Sequence, residues 1–312
     1  MGFISEIFGY LLNWLYNIFN NYGLAIIIFS IVLRIILIPI TIKQQSSMKK
    51  SAALQKEMGE IQKKYKNNPE KLNQETIALY KREKMSPFSG CLSSILQLVI
   101  ILSVFWLVSQ PLTYMKKIDP QIIEKYTNEM KENGFNQNNG YVQISVLDYA
   151  ETKYQEISEQ LKQEDVENRE ELVAKQEEYN QLRLNMEFLG IDLSKVPTAS
   201  LNDWRVYIIP VLYVITSVFS IKLTTMTQTK KKKQDIIVAE GGKEEPDPMD
   251  QMQAMNKSMT YMMPIMSVMI AVIAPLGLAL YWLMSNILMI IERLAINKFM
   301  EKQEEKKNQE EE

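Results

Sequence analysis

The chain has 312 residues, 46% of them hydrophobic, and 35 basic against 37 acidic residues leave a formal net charge of −2. Histidine is absent and Cys91 is the single cysteine, which excludes His-dependent catalytic triads, a disulfide framework and cysteine-based metal sites. The slightly negative mean hydropathy averages strongly apolar runs with strongly charged ones. The order of these runs along the chain therefore decides the class of protein.

Residues 1–22 place apolar side chains at helical spacing, among them Phe8, Leu11 and Leu15, with Glu6 and several asparagines between them. This pattern predicts an external amphipathic helix that lies in the membrane interface. The alternative, a further spanning helix, is weakened by Glu6 and the asparagines.

Residues 23–42 form an apolar run long enough to cross a bilayer core of roughly 30 Å, and they predict the first transmembrane span. Arg34 lies inside this run, where a charge usually pairs with an acid or faces a wet cavity. The other apolar runs contain no acid. We therefore expect Arg34 to line a hydrated groove, with Ser30, one turn away, among its polar partners. An arginine that snorkels from an ordinary anchor helix is the alternative.

Residues 43–87 carry eleven Lys or Arg against five Glu, which predicts a cytoplasmic segment and an external amino terminus. An apolar stripe, followed by Asn68 and Pro69 as cap and first-turn proline, predicts a helical hairpin. Its basic face suits anionic lipid head groups, ribosomal RNA or a charged client segment, and a plain orientation signal is the alternative. Residues 88–110 predict the second span. Gln97 is a polar side chain within it, and such side chains connect transmembrane helices as often as they line a pathway, so Gln97 alone is only weak support for a groove.

Residues 111–203 predict an external insertion, with ten basic and eighteen acidic residues. Apolar positions three and four apart continue as far as Leu189, with a break at residues 163–168. They predict two helices folded back on each other or one interrupted coiled coil. The asparagine-rich stretch 127–140 predicts a mobile loop.

The remaining segments are a third span at 204–223, a cytoplasmic loop at 224–257, a fourth span at 258–274, a fifth at 276–291 and a cytoplasmic tail at 292–312. Residues 258–291 carry no formal charge and hold Pro275-Leu276-Gly277 near their middle, which predicts two short spans joined by a turn. The chain is thus predicted to be an all-α polytopic membrane protein with five transmembrane helices.

Four stretches resemble the YidC family of membrane protein insertases, within the Oxa superfamily. They are NYGLAIIIFSIVLRIILIPI, NNPEKLNQE, MSPFSGCLSSILQ and YMMPIMSVMIAVIAPLGLALYWLMSN. The resemblance covers residues 20–110 and 204–298. It implies a five-span, Gram-positive-like member in the bacterial cytoplasmic membrane, with its amino terminus outside and its carboxyl terminus in the cytoplasm. The spans would enclose a hydrophilic groove open to the cytoplasm.

The resemblance also implies a function and a site. Arg34 would attract the acidic segment of a client, and the groove wall would include Ser30, Gln97, Tyr281 and Trp282. The implied partners are nascent membrane proteins and anionic lipids, with a Sec-type translocon and the ribosome as further candidates. No DNA partner, cofactor or metal is expected, and the absence of a covalent step means that the protein is not an enzyme.

Two other functions stay open at this stage. An anion transporter or channel would use Arg34 as its binding charge. A membrane scaffold would work through the external insertion at 111–203. That insertion is longer than the resemblance leads us to expect, and the acidic tail lacks the long basic extension that some members use at the ribosome.

Overall fold

The computed structural model describes residues 2–65, 68–83, 89–135, 140–163, 168–232 and 268–310. Over these residues the chain is mostly helical. Three of the described stretches are long and apolar enough to cross a membrane: Tyr22–Gln44, Trp204–Leu223 and Leu276–Ile296. They coincide with the predicted first, third and fifth spans.

The helices are numbered in chain order. They are α1 Gly2–Phe19, α2 Tyr22–Lys64, α3 Pro69–Arg82, α4 Ser89–Ser109, α5 Pro111–Tyr114, α6 Pro120–Glu132, α7 Val142–Leu161, α8 Arg169–Leu182, α9 Ile208–Lys232, α10 at residues 268–273 and α11 Leu276–Glu310. Two short 3-10 helices, Pro197–Ala199 and Trp204–Tyr207, precede α9. An antiparallel pair of strands, β1 Glu187–Phe188 and β2 Ile191–Asp192, is the exception to the all-α prediction within the described residues.

The predicted second and fourth spans are described less completely. The second corresponds to α4, whose apolar stretch Leu98–Ser109 is shorter than a full span. Of the fourth, 258–274, only the part from residue 268 is described, and it begins with α10. The candidate span Trp204–Leu223 has the predicted bounds, and α9 continues beyond it to Lys232 through a sequence without a glycine or proline to end it. Residues 233–257 lie outside the described part.

The chain divides into two compact units. Unit 1 comprises Met1–Leu33, Ile100–Thr216 and Ser267–Leu288, and unit 2 comprises Arg34–Val99, Ser217–Met266 and Met289–Glu312. The chain thus passes from one unit to the other five times. Each passage falls within one of the five predicted spans.

In unit 1, α7 and α8 fold back on each other, which confirms the first of the two predicted arrangements. Arg183, just after α8, forms an ion pair with Glu151 at 2.6 Å, and Gln176 donates a hydrogen bond to the hydroxyl of Ser158 at 2.7 Å. Lys116 lies at the carboxyl end of α8 and donates to the carbonyl oxygens of Gln181 and Arg183 at 2.5 and 2.8 Å. Burial, with the nearby charge of Arg183, lowers the pKa of Lys116 to about 8.

The predicted mobile loop at 127–140 is partly wrong, because α6 extends to Glu132. Asp119 caps this helix by accepting a hydrogen bond from the backbone of Gln121, and Pro120 occupies the first turn. Tyr126 and Met130 are buried one turn apart. This apolar face outweighs the asparagine-rich composition that favoured a loop.

α1 has one face packed in unit 1 and another exposed. Ser5, Gly9, Leu12 and Leu15 are buried. A Cβ atom on Gly9 would lie 1.9 Å from the carbonyl oxygen of Tyr114, so this glycine permits close contact between α1 and α5. The exposed apolar side chains of the helix are Phe3, Ile7, Tyr10, Trp14, Ile18 and Phe19.

The apolar pattern that reached Leu189 predicted helix where the structure has the two strands. Leu189 and Gly190 connect them and have positive φ values of 50° and 75°, as a type I′ hairpin turn requires. Phe188 packs against Gly23 so closely that a Cβ on the glycine would lie 2.4 Å from the Phe188 Cγ. Leucine is uncommon at a turn position with positive φ, so the sequence alone gives no turn signal at Leu189 and favours a helix there.

The predicted turn at Pro275-Leu276-Gly277 is held by residues of the predicted insertion 111–203. The backbone N–H groups of Leu276 and Gly277 donate to the carbonyl oxygens of Lys195 and Leu193, both at 2.9 Å. Two of the N–H groups that a helix leaves unpaired at its start are thereby satisfied for α11. Residues 193–195 and this turn therefore belong to one packed structure within unit 1.

In unit 2, the second half of α2 and α3 are joined around Asn68. The side chain of Asn68 accepts a hydrogen bond from the backbone of Lys71 at 3.1 Å, and Pro69 is the first helical residue, as predicted. An ion pair between Glu57 and Arg82 connects the two helices.

Candidate functional site

Arg34 lies in the apolar part of α2, and its side chain is 18% exposed. Its Nη1 atom is 3.3 Å from Oε2 of Glu292, which lies on α11 in the same unit. The prediction that Arg34 has no acidic partner is therefore wrong. The apolar runs themselves contain no acid, but Glu292 is the first charged residue after the last of them. α11 continues through Glu292, and its candidate span extends to Ile296.

Glu292 is the more deeply buried member of the pair. Its side chain is 7% exposed, and both of its carboxylate oxygens are buried without a hydrogen-bond donor among the described residues. A buried carboxylate is costly unless it is paired and hydrogen-bonded. The guanidinium of Arg34 compensates this charge, but it leaves the carboxylate without the hydrogen bonds that a buried anion needs.

Three of the predicted groove residues lie in unit 1. Ser30 is 3% exposed, and its hydroxyl donates to the carbonyl oxygen of Ile26, one turn earlier, at 2.7 Å. The Tyr281 side chain is buried, with its ring centroid 6.5 Å from that of Phe29, and Trp282 is half-buried. The oxygen of Ser30 keeps its capacity to accept a further hydrogen bond.

Gln97 lies on α4, in unit 2, and its side chain is outside the described part. Its predicted place in the groove stays a prediction. The sequence reasoning missed Asn286, which is 8% exposed and donates to the hydroxyl of Thr216 on α9 at 3.1 Å. The sequence contains a signal for this contact: Asn286 and Thr216 are polar residues inside apolar runs, and such residues often connect membrane helices.

A second candidate site is a polar cavity of about 710 Å³ in unit 1, beside the β1–β2 strands. Its wall includes Asp148, Glu151 and Arg183. These charges already have partners, because Asp148 pairs with Lys195 at 3.2 Å and Glu151 with Arg183 at 2.6 Å. Burial raises the pKa of the Asp148 carboxyl against the attraction of Lys195. The cavity wall is therefore better explained as packing within the insertion than as a binding site.

The family model described as 60Kd inner membrane protein matches residues 14–304. A membrane protein insertase YidC from Caldanaerobacter subterraneus subsp. tengcongensis is 42% identical over 105 residues, which are 34% of this chain and 51% of the relative. The protein of that name from Treponema denticola is 26% identical over 302 residues, which are 97% of this chain and 37% of the relative.

A third relative with that name, from Chlorobaculum parvum, is 27% identical over 286 residues, 91% of this chain and 34% of the relative. The matches thus span about a third to a half of the length of these curated relatives. The resemblance drawn from the four sequence stretches is confirmed, and the chain belongs to the 60Kd inner membrane protein family, the family of the YidC proteins.

Proposed function

We propose that the chain is a membrane protein insertase and chaperone of a bacterial cytoplasmic membrane. The observation that carries the proposal is the family match over residues 14–304, together with relatives named as insertases. Client segments enter a hydrated groove within the membrane, and their apolar helices leave it for the bilayer. A polar tail that enters a hydrated region avoids most of the cost of crossing roughly 30 Å of hydrocarbon.

The proposed topology has five spans, with the amino terminus outside and the carboxyl terminus in the cytoplasm. Five passages of the chain between two compact units support it, because each lies within a predicted span. The basic segment 43–87 follows the first passage and the acidic insertion 111–203 follows the second. The excess of Lys and Arg in the first of these segments is what the positive-inside rule requires of a short cytoplasmic loop.

α1 is proposed to lie in the outer membrane interface. Its exposed stripe of Phe3, Ile7, Tyr10 and Trp14 recurs every three or four residues, as on one face of a helix. Trp and Tyr prefer the interface because each has an apolar ring and a polar edge. The contact of Gly9 with α5 fixes which face of the helix points away from unit 1.

The proposed groove carries Arg34 as its positive charge, with Ser30, Gln97, Tyr281 and Trp282 in its wall. The 18% exposure of Arg34 leaves part of its guanidinium accessible to a client carboxylate. An ion pair formed in a partly dry groove is stronger than one in water, which favours acidic client tails. The attraction orients the tail, and the apolar segment follows into lipid.

The cytoplasmic arm formed by the end of α2 and α3 is proposed to meet clients first. Its lysines suit anionic lipid head groups, and a Sec-type translocon and the ribosome are further proposed partners. These contacts need no covalent step, so the proposed function is not that of an enzyme.

Site-specific photo-crosslinking tests the proposal. A photoreactive phenylalanine replaces Trp282, a half-buried aromatic of similar size, in the full chain in membranes. Ribosome-bound chains of a single-span client with an acidic external tail are then presented. We expect a crosslink as the apolar segment emerges, and its loss in the Arg34→Ala variant. The same probe at Phe3, 74% exposed on α1, is the control. A folded protein that crosslinks no client through Trp282 refutes the proposal.

The alternative function, an anion transporter or channel that uses Arg34, is less consistent with the geometry. Glu292 lies 3.3 Å from the guanidinium, so a free inorganic anion meets its repulsion without the apolar segment that adds binding energy to a client tail. Anion flux through liposomes that contain the protein and no client would favour this alternative.

A further inference from the structure

The contact between Arg34 and Glu292 is weaker than a full arginine–carboxylate pair. Its closest N–O distance is 3.3 Å, whereas charge-assisted hydrogen bonds of this type measure about 2.7–2.9 Å. Neither carboxylate oxygen accepts a hydrogen bond from the described residues. The pair compensates charge, but it lacks the two parallel hydrogen bonds that would hold the carboxylate in one geometry.

This arrangement reduces the field that Arg34 projects. Two opposite charges 3.3 Å apart present little net charge to a group further away, so an approaching carboxylate meets attraction from Arg34 and repulsion from Glu292. A client acid therefore gains full attraction only when Glu292 moves away from the guanidinium.

Glu292 lies close to one end of the candidate span of α11. It is four residues from Ile296, the end of the candidate span, and α11 continues beyond it into a charged tail. A glutamate near a span end can turn its carboxylate toward the aqueous side, as other long charged side chains do at membrane boundaries. There it would find the hydrogen bonds from water that it lacks beside Arg34.

We propose that Glu292 is a resident substitute for the client carboxylate. It neutralises Arg34 while the groove is empty, and an acidic client segment displaces it. This inference rests on the proposed insertase function and adds a competitor for Arg34 to it. A neutral tail does not compete for Arg34 and is insensitive to Glu292, whereas an acidic tail must displace Glu292 and so gains less attraction than Arg34 alone would give it.

The test compares two clients that differ only in their tails, one with aspartates and one with asparagines at the same positions. The crosslink yield through the Trp282 probe is measured for the unsubstituted chain and for Glu292→Gln, which keeps the shape of the side chain and removes its charge. We expect the ratio of acidic to neutral client to rise about five- to tenfold in the variant. Glu124→Gln, which removes an exposed glutamate on α6, is the matched control and leaves the ratio unchanged.

A shorter side chain tests the same inference with both charges retained. Glu292→Asp keeps the charge and shortens the side chain by one methylene group, so its carboxylate reaches the guanidinium less well and competes less with a client carboxylate. The ratio of acidic to neutral client should then rise, as in Glu292→Gln. An unchanged ratio would overturn the inference, and this variant carries the test if Glu292→Gln fails to fold.

The outcomes are distinguishable. If the unsubstituted chain prefers the acidic client and Glu292→Gln leaves or lowers that preference, the inference is overturned while the insertase function stands. If the folded, unsubstituted chain crosslinks neither client, the proposed function itself fails, and the inference with it.

Discussion

Removal of the Arg34 side chain should destabilise the protein through Glu292. In Arg34→Ala the carboxylate of Glu292, 7% exposed, loses the cation that compensates its charge. Breaking a buried ion pair by removing one partner costs about 3–5 kcal/mol. Because Arg34 is itself 18% exposed and is therefore only partly desolvated, we expect the lower end, about 3 kcal/mol. In Arg34→Ala/Glu292→Gln no buried charge remains, so its stability should lie within about 1 kcal/mol of the unsubstituted chain.

The assay is the free energy of unfolding of the full chain in mixed micelles. Arg82→Ala is the matched control, since it also removes an arginine from an ion pair, but the side chains of Arg82 and Glu57 are 60% and 49% exposed. We expect this control to lose much less stability than Arg34→Ala, because solvent screens an exposed ion pair. An Arg34→Ala variant as stable as Arg82→Ala, or a double variant no more stable than Arg34→Ala, would refute the account of the buried pair.

Three further predictions follow from the geometry. In Gly9→Ala the new Cβ would lie 1.9 Å from the carbonyl oxygen of Tyr114, whereas Cβ atoms essentially never come closer than 3.0 Å, so α1 and Tyr114 must move apart by at least 1.1 Å. We expect the free energy of unfolding, measured by thermal unfolding, to fall by about 2 kcal/mol. Gly2→Ala, with open space around its Cβ, should lose nothing. Because the pKa of Lys116 is about 8 in the folded chain against an ordinary 10.5, the unfolded chain binds more protons between these values, so stability should rise with pH in that window. With solvent screening the rise is about 1 kcal/mol, and Lys116→Met should abolish it. Arg34→Lys should keep more than about half of the insertion rate of the acidic client, since a point charge suffices where no bidentate contact is made.

Three candidate spans among the described residues could be predicted from the sequence, because membrane insertion depends on length and hydropathy, which are local properties. The runs at 23–42 and 204–223 correspond directly to helices of spanning length. The start of α3 could also be predicted from a local signal, since the cap at Asn68 and the proline after it act within one turn of the helix. The apolar spacing on both sides of a break predicted the two helices α7 and α8, but it left open whether they fold back on each other or form one interrupted coiled coil.

The errors arose where distant contacts outweigh a local pattern. The seam through Met186 and Leu189 continued at helical spacing, yet the chain forms strands there because Phe188 packs against Gly23, far away in the sequence. The partner of Arg34 was missed for a related reason. A charge marks the end of an apolar run in sequence, whereas in the structure α11 carries Glu292 inside the candidate span.

The Arg34–Glu292 pair changes how a loss of insertion in Arg34→Ala should be interpreted. That variant removes the charge that attracts an acidic client and also leaves Glu292 buried without compensation, so reduced insertion has two physical causes. The Arg34→Ala/Glu292→Gln variant separates them, because it restores folding without restoring the positive charge. If attraction by Arg34 drives entry, the double variant should insert a neutral client as well as the unsubstituted chain does, and should insert the acidic client less well. Equal insertion of both clients at the unsubstituted level would mean that the arginine serves the fold and the groove selects by hydration alone.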